Sequence, residues 1–388
     1  MANRNMPAPR ILHLHSTFDL GGKEARAVRL MNAFGDRYGH DIVSAVPSAL
    51  GAMDAIDPGI DAKPLTYFPD LQGRPFPKRL QTLAYAMDEG GYALTLTYNF
   101  GAMDAVLARR RYGTTPLVHH EDGFNQDERK RQKGTRVAYR RLALPAATNL
   151  VVPSQTLETI ALAEWKQPRD RVVRISNGID VSRFGKAPAA DAIPGLERRE
   201  GEVIVGTLAG LRPIKNLPRL IKAFALALKT VKTPSRLVIV GDGPDRARIR
   251  EVASQAGVID HVIMPGFLPD PSKYVGLFDI FALSSDSEQF PISLVEAMSA
   301  KLPAATTDVG DISNILPDEQ REFVTELTPP ALASALARLI DDAGFRARLG
   351  AANRAKVAAD YDERVMIDRY ARLYEGAMAG HEKPGRQR

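Results

Sequence analysis

Along most of this chain, short apolar runs end in small polar residues and give way to stretches with apolar side chains at helical intervals. Residues 10–16 (RILHLHS) alternate apolar and polar positions and read as a strand, and 24–34 carry the helical spacing that follows it. Runs at 41–47, 92–97, 116–118, 150–153 and 171–175 read as further strands, with helical stretches at 79–87 and 102–110 and a helix capped by Ser154 between them. Strands alternating with helices predict parallel βαβ units, whose functional residues gather at the carboxyl ends of the strands.

Residues 185–202 (GKAPAADAIPGLERREGE) break the rhythm, being rich in Ala, Pro, Gly and charge with no apolar period, and read as an interdomain connection. The alternation then resumes at 203–208 with an amphipathic helix through Leu217, Leu220, Ile221, Phe224 and Leu228. A strand running into a glycine-rich turn follows over 236–245, with further strands at 262–268, 279–285 and 303–307. With 388 residues the chain exceeds one core of typical size. The expected division is a first α/β domain over 1–184, the connection, a second over 203–360, a terminal helix over 361–379 and a polar tail.

Candidate chemistry concentrates at 281–298 (FALSSDSEQFPISLVEAM), where a buried strand gives way to a polar loop and Pro291 stands at the start of a helix. Glu288 lies in the loop at the helix mouth and Glu296 more than one turn inside. Two carboxylates so spaced can grip hydroxyl groups on different parts of one elongated ligand, with the unpaired N–H groups of the helix start between them as a seat for an anion. Hydroxyls at both ends and phosphate in the middle describe a sugar nucleotide. The competing reading is a surface acid and an ordinary helix acid.

Composition narrows the class. At 44% hydrophobic and 25% charged the chain is that of an ordinary globular protein, and the lack of cysteine excludes disulfides and thiolate metal sites. The amino terminus has no apolar run of signal-peptide length, and nothing approaches the roughly 18 apolar residues of a bilayer span, so a cytoplasmic protein is expected. The charge excess of +6 lies mostly in the first half, much of it at 129–141 (RKRQKGTRVAYRR) with a second cluster at Arg109, Arg110 and Arg111. These read either as solvated helix faces or as a surface for anionic lipid headgroups or an acidic, lipid-phosphate acceptor, on the inner face of a membrane. Few aromatic residues are interleaved for stacking, which argues against nucleic acid.

Several further motifs stand in order along the chain. Gly21-Gly22 follows the first strand, and His119-His120 follow 116–118. Asn177-Gly178-Ile179-Asp180 closes the first half; Lys215-Asn216 and Gly241-Asp242-Gly243-Pro244 follow the strands after it. Together with the spaced glutamates this series resembles the retaining glycosyltransferases of family 4 across residues 10–315. The resemblance implies the GT-B architecture, two Rossmann-like parallel-sheet domains facing a central cleft. It implies transfer of a sugar from a nucleotide-diphosphate sugar to a glycan or lipid-linked acceptor, in cell-envelope or exopolysaccharide synthesis.

The resemblance also assigns roles. Glu296 would bind ribose hydroxyls, Glu288 the transferred sugar, and Lys215 the diphosphate, with Gln289, Phe290, Pro291 and Ile292 lining the donor at the helix start. Gly21 and Gly22 would lie near the donor phosphates, Gly243 on the nucleoside side, and His119 beside the transferred sugar, with His120 the alternative and Glu121 on the acceptor side. Two departures stand out. The family's phosphate-binding arginine slot holds Gly210, leaving Arg212 to take over the contact, and Gln289 replaces a common glycine. No Asp-x-Asp metal motif ends a strand, so cationic side chains and a helix start would neutralise the diphosphate without a metal or cofactor. Rival readings are a sugar-nucleotide epimerase, which needs no acceptor, and a non-catalytic sugar-nucleotide-binding protein.

Overall fold

The computed structural model describes residues 7–19, 21–123, 132–288 and 290–380. The chain forms two compact units, Met1–Ser176 with Met366–Arg388 and Asn177–Val365. The division falls ahead of position 184, because Ile179 and Val181 are buried in the core of the second unit. Nor is 185–202 a free connection, since Ile193 and Leu196 anchor it in that same core.

In the first unit, seven parallel strands form one sheet: β1 (Arg10–His15), β2 (Gly39–Ser44), β3 (Ala62–Pro64), β4 (Leu94–Tyr98), β5 (Leu117–His120), β6 (Asn149–Val152) and β7 (Val172–Arg174). Helices α1 (Gly22–Phe34), α2 (Pro77–Glu89), α3 (Met103–Tyr112), α4 (Gly134–Ala143) and α5 (Gln155–Ala163) connect them. The central strands are buried on both faces because both are covered. Leu12 and Leu14 pack with Leu83, Met103 and Val106 on one side, while Ile11 packs with Val28 and Met31 on the other. Strand order is β3-β2-β1-β4-β5-β6-β7, so the winding direction reverses between β1 and β4, the place where open parallel sheets leave a crevice for ligands.

In the second unit, β8 (Val203–Leu208), β9 (Ser235–Val240), β10 (Val262–Gly266), β11 (Ile280–Leu283), β12 (Ala304–Thr307) and β13 (Val324–Thr325) form a parallel sheet in the order β10-β9-β8-β11-β12-β13. Here the reversal lies between β8 and β11. Its helices are α6 (Leu217–Leu228), α7 (Arg246–Gln255), α8 (Ile292–Ser299), α9 (Ile312–Ile315), α10 (Pro329–Asp341) and α11 (Ala343–Asp360). The amphipathic pattern of 217–228 is answered by Leu220, Ile221 and Phe224 packing with Leu336 and Leu339. The last helix, α12 (Glu363–Ala379), buries Met366, Tyr370, Tyr374 and Ala377 in the core of the first unit. No helix among the described residues is long and apolar enough to cross a membrane.

Two expectations are corrected. The strand read at 116–118 extends through His119 and His120, which pair with Thr97 and Tyr98 of β4 and are buried in the sheet. Within the basic stretch 129–141, Arg140 is neither solvated nor on the surface. It is buried, bonded to Glu121 at 2.9 Å, and lies over the rings of Trp165 and Phe100.

Candidate functional site

The loops that leave β8 and β11 emerge side by side at the reversal point of the second sheet, and hydrogen bonds stitch them together. Asp286 N donates to Ile214 O at 2.8 Å, and the Ser284 hydroxyl lies 3.0 Å from Lys215 O and 3.1 Å from Asn216 O. Asn216 turns the first loop into α6 from a left-handed conformation (φ 43°, ψ 47°) that asparagine tolerates, and its side chain caps the helix by accepting from Arg219 N. Asp286 draws both ends of that turn to itself, accepting from Asn216 Nδ2 at 3.0 Å and Arg219 Nη2 at 2.7 Å.

This scaffold brings Lys215 and Glu288 together. Lys215 Nζ donates to Glu288 Oε1 at 2.6 Å, and the Ser285 hydroxyl donates to the same oxygen at 2.5 Å. Both side chains are mostly buried, so the pair is fixed rather than a loose surface contact. Immediately after, Pro291 stands in extended conformation ahead of α8, which begins at Ile292, one residue later than the sequence pattern suggests. α8 thus begins four residues after Glu288, so its first-turn amides follow the loop that carries the Lys215–Glu288 pair. The side chains of Phe290 and Ile292 pack toward the core, Phe290 edge-on to Tyr361, leaving backbone rather than side chain for a ligand. Glu296 is half-buried one turn on, near Tyr274. Burial, then the charges of Glu296 and Asp270, push the Tyr274 hydroxyl above its ordinary value. Gln289 lies outside the described residues.

Gly210 and Arg212 share one space. A Cβ built on Gly210 would sit 3.4 Å from Arg212 Nε and 3.9 Å from Nη2, so the Arg212 guanidinium lies against the bare backbone at 210. Gly243 has a different reason to lack a side chain. With φ 153°, it carries backbone so close to the first loop that a Cβ would meet Leu211 O at 2.6 Å. That approach lets Leu211 N bond Asp242 O at 2.9 Å and ties a third loop to the site.

In the first unit, Gly21 precedes α1 in extended backbone and Gly22 opens the helix, both exposed. His119, His120 and Glu121 are buried. His119 Nδ1 lies 2.8 Å from Thr97 Oγ1 and Nε2 3.3 Å from Glu121 Oε2; His120 Nδ1 is 3.3 Å from Thr97 O and Nε2 2.9 Å from the Tyr374 hydroxyl. Burial works to raise the Glu121 carboxyl, but the Arg140 guanidinium and the His119 bond outweigh it and hold the group below the usual carboxylate value. Burial drives the His120 imidazole well below its usual value, helped by the charge of Arg26. These residues therefore form a bonded interior network, while Lys215, Glu288, Arg212 and the α8 start sit together at loops of the second unit.

Residues 20–183 match the family model described as glycosyltransferase family 4, and residues 190–356 match that of glycosyl transferases group 1. The chain belongs to the family 4 glycosyltransferases. Among curated relatives, N-acetyl-alpha-D-glucosaminyl L-malate synthase of Bacillus anthracis is 23% identical over 212 residues, covering 54% of this chain and 55% of that protein. UDP-Gal:alpha-D-GlcNAc-diphosphoundecaprenol alpha-1,3-galactosyltransferase of Escherichia coli is 27% identical over 247 residues, covering 61% and 63%. The chain thus spans about half the length of the first curated relatives it matches. In three dimensions it resembles Anabaena Alr3699/HepE, crystallised in complex with UDP, with TM-score 0.76 and 20% identity over 95% of this chain and all of that one. The fold is GT-B.

For a glycosyltransferase of this family, the part of the site that motif reading misses is the support beneath it. Arg219 and Asp286 lie outside the matched motifs. A signal existed in Asn216, a capping residue directly before an apolar-periodic helix, but nothing local couples Arg219 to a loop 67 residues away.

Proposed function

We propose that the protein is a retaining glycosyltransferase that moves a sugar from a nucleotide-diphosphate sugar to a glycan or lipid-linked acceptor in cell-envelope or exopolysaccharide synthesis. The observation that carries the reading is the Lys215–Glu288 pair held beside the start of α8, at the reversal point of the second sheet. Relatives whose names specify a UDP-sugar donor or a diphosphoundecaprenol-linked acceptor support the same substrate classes.

In this reading the diphosphate lies against Lys215, Arg212 and the α8 amides, and Glu288 accepts hydrogen bonds from the transferred sugar. Glu296 holds the ribose. As the bond from the anomeric carbon to phosphate breaks, negative charge grows on the leaving oxygen, and fixed cations lower that barrier. The acceptor oxygen bonds to the same carbon on the face the diphosphate leaves, and its proton departs with the diphosphate, so configuration is kept. Arg212 serves where relatives place an arginine at 210, because Gly210 leaves its guanidinium room. The positive charge comes from these groups, so no divalent cation is needed. For His119, contact with the sugar requires Nε2 to exchange Glu121 for a sugar hydroxyl.

The test is a thermal-shift screen of UDP- and GDP-sugars, followed by donor hydrolysis in water and product stereochemistry by NMR. One sugar nucleotide should raise the melting temperature and be hydrolysed, with hydrolysis lost in Glu288→Ala and Lys215→Ala. No stabilisation by any nucleotide sugar, or hydrolysis indifferent to both substitutions, would refute the reading.

A further inference from the structure

A donor bound in the proposed way separates Lys215 from Glu288, because phosphate oxygens take the ammonium and sugar hydroxyls take the carboxylate. Once that link is exchanged, the loops leaving β8 and β11 need another tie to keep their spacing. Backbone bonds supply part of it: Asp286 N donates to Ile214 O at 2.8 Å, and the Ser284 hydroxyl lies 3.0 Å from Lys215 O and 3.1 Å from Asn216 O. These bonds pin the chain on both sides of the Lys215 side chain.

The rest of the tie centres on one ion pair. Arg219, in the first turn of α6, forks across the exit of β11, with Nη1 donating to Ser284 O at 2.8 Å and Nη2 to Asp286 Oδ1 at 2.7 Å. The same Oδ1 accepts from Asn216 Nδ2 at 3.0 Å, so this carboxylate holds the exit of β8 as well. Side-chain exposures of 11% and 18% set the pair apart from a solvated surface link, which contributes little. A planar fork serves two acceptors two residues apart, where an ammonium on a flexible stem offers a single point. On the other side of the loop, the Thr307 hydroxyl donates to Ser285 O at 2.7 Å, and the Ser285 hydroxyl in turn holds Glu288.

We propose that Arg219 and Asp286 are positioning residues for sugar transfer, fixing the spacing of Lys215 and Glu288 in the donor-loaded protein, when the two no longer hold each other. The inference rests on the donor reading, and adds to it the pair that keeps the two loops in register.

Acetylation of the full chain by N-hydroxysuccinimide acetate, with the modified lysines quantified by mass spectrometry, reads how firmly Lys215 is held. Lys356, similarly sheltered and tied to Asp360 within α11, serves as the internal reference. Arg219→Ala and Asp286→Ala should each raise labelling of Lys215 ~10-fold relative to Lys356, and Asp286→Asn, which keeps an oxygen for both donors, should raise it less. The two alanine substitutions together should add little to either alone, since each removes the same tie. Hydrolysis of UDP-glucose or UDP-N-acetylglucosamine, whichever the unaltered protein turns over, should slow ~10-fold or more in the alanine variants. Unchanged labelling of Lys215, labelling that rises equally at Lys356, or hydrolysis at the unaltered rate would overturn the proposal. If UDP shields Lys215 in the unaltered protein and the substitutions change nothing, the positioning role fails and the donor reading stands; if they expose a Lys215 that UDP never shields, the donor reading fails alone.

Discussion

The two units carry sheets of one kind and finish them in opposite ways. The first closes its strand ends with buried histidines and tyrosines that bond one another. His13 Nε2 lies 3.0 Å from His40 Nδ1, His15 stacks on Tyr98 at 3.9 Å, and His120 meets the Tyr374 hydroxyl. The second leaves polar groups on loops that glycine and asparagine bring together, with Lys215 and Glu288 partly open to solvent. Polar groups locked inside contribute to stability and answer to burial; those at loop ends can exchange their partners for a ligand. Damage to the first region should therefore appear in folding, and damage to the second in rate.

The sharpest way to break that distinction is Glu121→Ala, which strands the buried Arg140 charge. It should cost about 3–5 kcal/mol, read by denaturant titration of Trp165 fluorescence. Trp165 is the chain's single tryptophan and lies under Arg140, so the signal reports the first unit. A loss below 1 kcal/mol would mean the network is not a structural one. In the second unit Lys215→Ala should instead lower turnover about 10²–10³-fold, with the Trp165 transition unmoved.

Next in size is acid sensitivity. Burial lowers His13, His15, His40 and His120, seconded by neighbouring positive charge, and brings His40 to about 4. The unfolded chain takes up protons near pH 6.5 that the folded histidines refuse, so the unfolded state binds more protons below that point. Stability should be complete above pH 6.5 and drain away as pH falls toward 4, with His40 alone accounting for on the order of 3 kcal/mol. A Trp165 transition flat between pH 7 and 5 would contradict the burial of these rings. The smallest effect is Asn216→Ala, which removes a cap and puts alanine in a left-handed conformation at about 1–2 kcal/mol. Asn216→Gly, which keeps the conformation, should cost less.

The chain order made much of this visible. Central strands such as β1 and β8 carry apolar side chains at most positions and are buried, so their runs declare them, whereas β3 is exposed and carries no such signal. Glu288 and Lys215 were legible as motif members, and their contact is what the fold adds. His119 and His120 were read one step too late because polar side chains look like a strand's end even when partners inside the sheet satisfy them. Arg140 was unreadable for a related reason, since its carboxylate lies 19 residues away while its neighbours in sequence are basic.

The salt link between Lys215 and Glu288 has a consequence for how a donor would arrive. A bare carboxylate at that spot would repel an incoming diphosphate, and a bare ammonium would attract any passing anion. In the proposed reading, the tied pair would be a nearly neutral doorway favouring a molecule that offers both halves what they give up, oxygens for the amine and hydroxyls for the acid. A simple anion such as chloride has no hydroxyl to offer the acid, which in this reading makes the link a filter as well as a hold.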